Sequence, residues 1–206
     1  MQYVQDVALL LADQAIERFV PIGTSLGGLM TMVMAITMPQ RIAGAVLNDV
    51  GPVIDPAGLA RIGGYVGQGR SFPTWMHAAR ALEETQGQAF PDNTIDDWLY
   101  LAKCVMTLGG NGRIVFDYDM KIAEPFKQSE GVPEVDMWPG IDGLAGKPVL
   151  FLRGALSDIL AADTLAAMSA RLPEAEAVTV PHVGHAPTLN EPDAVAAIER
   201  LLARVA

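Results

Sequence analysis

The stretch PIGTSLGGLM, from Pro21 to Met30, constrains the fold of this chain more than any other segment. An apolar run that reads as a short strand ends here, and Ser25 opens a run that is apolar on nearly every side. All-round apolarity is typical of a helix buried in the core. Glycine is expected at positions 23 and 27, because a side chain at Gly23 or Gly27 would collide where strand and helix pass close together. The stretch therefore predicts a strand, a tight turn at Ser25 and a buried helix in immediate succession.

Strand-like and helix-like segments alternate at both ends of the chain. IAGAVLND reads as a second buried strand, KPVLFLRG as a third and AEAVTVP as a fourth, with helical patterns between and after them. Alternation of this kind is typical of a parallel sheet covered by helices. We predict an α/β core made of residues 1–51 and 141–206, with a four-stranded, mainly parallel sheet and flanking helices.

The middle of the chain follows a different pattern. Clusters of Gly and Pro interrupt residues 52–140, and two amphipathic segments lie at about Thr74–Thr85 and Ile95–Met106. We interpret this region as a helical cap inserted into the core. Aromatic side chains in it could line an apolar pocket for an acyl or alcohol group, although packing inside the cap explains them equally well. These candidates are Phe72, Trp75, Trp98 and Tyr100.

Composition excludes several classes of function. Half of the 206 residues are hydrophobic and 18% are charged, which fits a globular chain with a sizeable core. The formal net charge is −10 and no segment concentrates Lys and Arg, which argues against nucleic acid and anionic membrane surfaces as partners. Phe19–Gln40 carries no charge, but its Pro and Gly residues favour a strand and a helix over a membrane span. Cys104 is the only cysteine and no export signal is visible, so we predict a cytoplasmic protein.

A serine in a strand-to-helix turn can act as a nucleophile if a base and a group that orients the base lie beside it. Asp158 follows the third predicted strand and His185 the fourth, so both should lie at the same edge of the sheet as Ser25. The backbone N–H of Leu26, at the start of the helix, would donate a hydrogen bond to the developing oxyanion. These residues predict a catalytic site for acyl transfer.

Other assignments of these residues stay open. Asp49 closes the second strand at the same edge and could hold the histidine instead, although turn chemistry also explains its place in LNDVGP. Asp158 could simply cap the next helix, and His185 could be an ordinary loop histidine.

The motifs GTSLGG, RGALSD and GHAP make the chain resemble the carboxyl-terminal three-quarters of a serine-dependent α/β-hydrolase. The group it resembles contains small esterases, enol-lactonases and carbon–carbon bond hydrolases. The resemblance implies that Ser25 is the nucleophile, that Asp158 orients the histidine and that His185 carries the proton. It further implies cleavage of an ester-like small molecule, a carboxylic ester or lactone, through an acyl-enzyme, with no metal and no organic cofactor.

Val4, Val7, Ala8 and Leu11 fall at helical spacing and predict a helix at the start of the chain. Members of this family usually place four strands ahead of that helix, together with an H-G-type loop that supplies a second oxyanion donor. We therefore expect the first predicted strand to lie at a sheet edge with unpaired backbone groups on one side. A naturally short product, a shortened chain or misassigned start, and an edge covered by another chain, such as a second copy in a homo-oligomer, all stay open. The functional alternatives are a catalytically weak fragment that acts through a partner chain, and an acyltransferase.

Overall fold

The computed structural model describes residues 2–124 and 135–205, and the chain divides into two compact units. The first unit is Met1–Asp55 with Val135–Ala206, and the second is Pro56–Glu134. This division lies close to the boundaries predicted for the core and the insertion.

The first unit is built on a four-stranded parallel sheet, with strands numbered in chain order. The order across the sheet is β1-β2-β6-β7, and all three pairings are parallel. Its strands are β1 (Ile22–Thr24), β2 (Ala45–Asn48), β6 (Val149–Gly154) and β7 (Glu176–Val180). The predicted parallel sheet is confirmed, and the carboxyl ends of its strands meet at one edge.

Helices cover both faces of this sheet. They are α1 (Gln2–Asp13), α2 (Leu26–Thr37), α6 (Trp138–Asp142), α7 (Ala162–Arg171) and α8 (Pro192–Val205). On one face, Leu47 and Phe151 belong to a buried cluster that includes Met32 of α2 and Met168 of α7. Strand residues alternate between faces. Leu150 therefore points to the opposite face, where α8 packs against β6 and β7.

The first strand, β1, begins and ends slightly later in the chain than predicted, and it is an edge strand of the sheet. The predicted strand Phe19–Ile22 is replaced by Ile22–Thr24, and Phe19 makes only an isolated parallel bridge with Ile42. Among the described residues no strand pairs with the outer side of β1. Leu9 and Leu10 of α1 are 68% and 59% exposed. Coverage of this edge by another chain stays a prediction.

The second unit is not purely helical. It contains α3 (Pro56–Gly63), β3 (Ser71–Phe72), α4 (Trp75–Gln86), α5 (Ile95–Val105), β4 (Met106–Leu108) and β5 (Ile114–Phe116). The three strands form an antiparallel sheet in the order β3-β5-β4. A strand of two or three residues is too short to display the alternating pattern from which strands are recognised. The sequence therefore indicated the helices of this unit and missed its sheet.

The uncharged segment Phe19–Gln40 contains β1 and the twelve-residue helix α2. Within residues 2–124 and 135–205, no helix is long and apolar enough to cross a membrane.

Candidate active site

Ser25 occupies a strained turn between β1 and α2. Its backbone has φ 51° and ψ −114°, a conformation that residues other than glycine rarely adopt. Hydrogen bonds hold the turn in place: the N–H of Ser25 donates to the carbonyl of Asn48 (3.1 Å), and its own carbonyl accepts from Gly28 (2.9 Å) and Leu29 (3.1 Å). The side chain of Ser25 makes no capping bond to the helix. Its hydroxyl is therefore available at the carboxyl edge of the sheet.

Two glycines allow the strand and the helix to pass close together. A Cβ at Gly23 would overlap the carbonyl of Gly27, and a Cβ at Gly28 would overlap the side chain of Val50. At Gly27, by contrast, the space is open to 4 Å. The expectation that a side chain at Gly27 would collide is therefore wrong. Successive helix residues point about 100° apart, so Gly28 rather than Gly27 faces the sheet.

His185 lies in the loop after β7 and reaches the serine. Its Nε2 is 3.0 Å from Oγ of Ser25, and its side chain is only 7% exposed. The loop is fixed to the neighbouring β6–α7 loop, because the N–H of Leu156 donates to the carbonyl of Val183 at 2.8 Å. A buried imidazole within hydrogen-bond distance of a serine hydroxyl is the geometry that nucleophile activation needs.

The acid that contacts His185 is Asp49, which corrects the prediction of Asp158. Oδ2 of Asp49 lies 2.7 Å from Nδ1 of His185, and the Asp49 side chain is fully buried. Because β2 is paired directly with β1, the residue after β2 comes to the edge beside Ser25. Asp158 lies four residues beyond the end of β6, half-buried in a loop. The alternative that Asp49, rather than Asp158, holds the histidine is the arrangement found in the structure.

Three groups surround the carboxylate of Asp49. Besides His185, the N–H of Gly154 donates to Oδ1 at 2.7 Å, and the hydroxyl of Ser157 donates to Oδ2 at 2.6 Å. A buried carboxylate is tolerable only when such donors replace the water that it has lost. The sequence did not predict Gly154 and Ser157 as partners of this carboxylate, because Asp49 lies more than one hundred residues earlier in the chain.

The side chain of Asn48 forms hydrogen bonds to the two segments that carry Ser25 and His185. It is fully buried, and its Nδ2 donates to Oγ1 of Thr24 (2.9 Å) and to the carbonyl of Pro187 (2.8 Å). Thr24 directly precedes Ser25, Pro187 lies two residues after His185, and Asn48 itself directly precedes Asp49. The signal that could have identified it is an amide side chain in an otherwise apolar strand.

Replacing Asn48 by leucine should lower the free energy of unfolding by about 1–3 kcal/mol, because the buried carbonyl of Pro187 would lose its donor. Urea denaturation measures this change. Asn190 lies in the same loop as Pro187 but is exposed, so Asn190→Leu is the matched control and should unfold like the wild type. Equal stability of the two variants would show that the Asn48 bonds contribute nothing.

Leu26 is the first residue of α2. The N–H groups in the first turn of a helix have no acceptor within the helix, and they lie at the positive end of its dipole. The N–H of Leu26 follows Ser25 directly, which is where an oxyanion donor is needed. Its role as that donor stays a prediction.

The four aromatic residues predicted to line a pocket have different surroundings in the second unit. Phe72 lines a cavity of about 270 Å³, whose described lining does not include the other three. Trp98 is 1% exposed and packs edge-on against Phe90, with ring centroids 6.2 Å apart. Tyr100 is 58% exposed, and Trp75 is half-buried. For Trp98, packing inside the unit is the reading that fits.

A model of the alpha/beta hydrolase family matches residues 2–198 of this chain. The 3-hydroxybutyrate-oligomer hydrolase of Cupriavidus necator is 35% identical over 202 residues, which are 95% of this chain and 68% of that protein. The crystal structure of an alpha/beta hydrolase from Novosphingobium aromaticivorans has 62% identity and a TM-score of 0.93, and the match covers 99% of this chain and 72% of that one. E-2-(acetamidomethylene)succinate hydrolase matches with a TM-score of 0.77 at 22% identity, over 98% of this chain and 72% of that one, which shows a shared fold alone.

Proposed function

Because this chain belongs to the alpha/beta hydrolase family and is a hydrolase, we propose that it cleaves an ester-like bond, a carboxylic ester or lactone, by a serine mechanism. Ser25 is the nucleophile, His185 the general base and acid, and Asp49 the group that orients His185. The observation that carries the proposal is the continuous line of contacts from Asp49 through His185 to Ser25, at 2.7 and 3.0 Å.

The first half of the reaction forms an acyl-enzyme. Oγ of Ser25 attacks the carbonyl carbon of the substrate while its proton passes to Nε2 of His185. The N–H of Leu26 donates to the oxyanion, and Asp49 stabilises the imidazolium through Nδ1. The tetrahedral intermediate collapses, the bond to the alkoxide breaks, and His185 returns the proton to the leaving oxygen.

The second half releases the acid. His185 takes a proton from a water molecule, whose oxygen attacks the acyl carbon, and a second tetrahedral intermediate forms. Its collapse breaks the bond to Oγ, and His185 gives the proton back to Ser25. The products are a carboxylic acid and an alcohol, or a hydroxy acid when the substrate is a lactone, and the enzyme returns to its starting state.

A short linear ester of a hydroxy acid is the first substrate to test. The 35% identity to a protein named for hydrolysis of 3-hydroxybutyrate oligomers supports this class, because the match runs over nearly the whole of this chain. In such an oligomer each ester joins one hydroxy acid to the next, so each turnover of the same serine mechanism would divide the oligomer into two shorter hydroxy-acid products.

Labelling with a fluorophosphonate tests the proposed nucleophile. We expect the probe to modify the folded protein at Ser25, with peptide mass spectrometry locating the adduct, and Ser25→Ala to abolish both labelling and hydrolysis of 4-nitrophenyl butyrate. Ser169→Ala is the control, because the Ser169 hydroxyl donates to the Leu165 carbonyl within α7. An unlabelled Ser25 in folded protein, or hydrolysis that survives in Ser25→Ala, would contradict the mechanism.

A further inference from the structure

We propose that Ser157 is a positioning residue for the reaction, acting through Asp49 to hold the carboxylate against His185. The inference rests on the proposed serine mechanism. It adds to that mechanism a fourth side chain, which lies within the motif RGALSD one residue before Asp158.

The hydrogen bonds of Ser157 leave its hydroxyl a single orientation. A serine hydroxyl has one proton to donate and two lone pairs that accept. The N–H groups of Ile159 (3.2 Å) and Leu160 (3.0 Å) both donate to Oγ of Ser157 and occupy its lone pairs. Its proton is therefore directed at Oδ2 of Asp49, 2.6 Å away, and Asp49 as a carboxylate can only accept it.

This bond fixes the direction in which Asp49 faces His185. The N–H of Gly154 holds Oδ1, and Ser157 holds Oδ2, the same oxygen that contacts Nδ1 of His185. Two donors on the two oxygens prevent rotation of the carboxylate about its bond to Cβ.

The competing role for Ser157 is purely local. By accepting from Ile159 and Leu160 it also holds the turn between β6 and α7, so loss of the hydroxyl should lower the melting temperature in either case. The two roles differ in their effect on His185. Only a positioning role predicts a change in the titration of the reaction and in the bond between Asp49 and His185.

The test compares Ser157→Ala, which lacks the hydroxyl, with Ser157→Thr, which keeps it. Ser157→Cys, a weak donor of similar size, is included in case threonine does not fit the loop. Ser169→Ala is again the control. The pH dependence of kcat/KM is measured with 4-nitrophenyl butyrate, together with the melting temperature. The resonance of the His185 Nδ1 proton is observed by NMR and assigned by its absence in His185→Gln.

For Ser157→Ala we expect roughly a 10-fold loss of kcat/KM on the pH plateau, as for loss of one hydrogen bond to a charged group. The acid limb of the profile should move to lower pH, because a carboxylate that is free to rotate stabilises the imidazolium less. The NMR resonance of the Nδ1 proton should broaden, because the bond between Nδ1 and Asp49 becomes looser. Ser157→Thr should resemble the wild type, and Ser157→Cys should lie between the two.

The variants share every other ionisable side chain on the segments that carry the site, so differences among them report on position 157. Besides Asp49 and His185, these side chains are Asp55, Arg153, Asp158, His182 and Glu191.

A Ser157→Ala protein with a lower melting temperature but an unchanged plateau, acid limb and Nδ1 resonance would overturn the proposal and leave Ser157 a turn residue. Failure of the proposed function looks different, because the wild type itself would then neither hydrolyse esters nor label at Ser25. The Nδ1 resonance still decides the role of Ser157 in that case, since the bond between Asp49 and His185 does not depend on turnover.

Discussion

Replacement of Asp49 by asparagine should lower kcat for ester hydrolysis about 10⁴-fold, as loss of the orienting carboxylate does in a serine triad. An amide at this position offers one acceptor oxygen where the carboxylate offers two, so at least one of the donors Gly154, Ser157 and His185 would face its NH₂ group. Whichever way the amide turns, it carries no negative charge to stabilise the imidazolium that forms when His185 takes the proton of Ser25. Steady-state hydrolysis of 4-nitrophenyl butyrate, with circular dichroism to verify folding, measures the effect.

The matched control is the same substitution at Asp158. Asp158→Asn should retain kcat within a few-fold of the wild type, because the carboxylate bonded to His185 is that of Asp49. The pair of variants decides between the acid indicated by the motif RGALSD and the acid found beside the histidine. A larger loss in Asp158→Asn than in Asp49→Asn would reverse the assignment.

Replacement of Gly154 by alanine should reduce both stability and activity. The new Cβ would overlap the carbonyls of Val183 and Gly184, which belong to the loop that carries His185. We expect the free energy of unfolding to fall by about 1–3 kcal/mol, the usual cost of overpacking a close contact. Because the loop must move to relieve the overlap, kcat/KM should fall on the order of 10²-fold, as for a catalytic group displaced by about 1 Å. Urea denaturation and ester hydrolysis measure the two effects.

Gly110→Ala is the control for this substitution, because its Cβ position has no atom within 4 Å and its backbone is not left-handed. It should unfold and react like the wild type. If Gly154→Ala kept both its stability and its activity, close approach of the histidine loop to β6 would not be a requirement of the site.

The segments that carry the site could be read from local pattern. Apolar runs of strand length predicted β2, β6 and β7 to within a few residues, and the glycine-bounded serine predicted the turn at Ser25. His185 was found because a parallel sheet brings the carboxyl ends of its strands to one edge. These features depend on neighbours in the chain or on the general geometry of parallel sheets. The short antiparallel sheet of the second unit has neither kind of signal, and it was missed.

The choice between Asp49 and Asp158 could not be made from local pattern. Both carboxylates follow strands that end at the edge where Ser25 lies, so chain order alone leaves either of them as the partner of His185. The structure distinguishes them through strand order and side-chain direction: β2 pairs with β1, and the donors that β6 and its following loop offer, at Gly154 and Ser157, point toward Asp49. The sequence by itself therefore determined the parallel sheet, the strained serine and the histidine, because each follows from local pattern. Tertiary structure alone decided the acid, since contacts between residues more than one hundred positions apart leave no periodic trace in the chain.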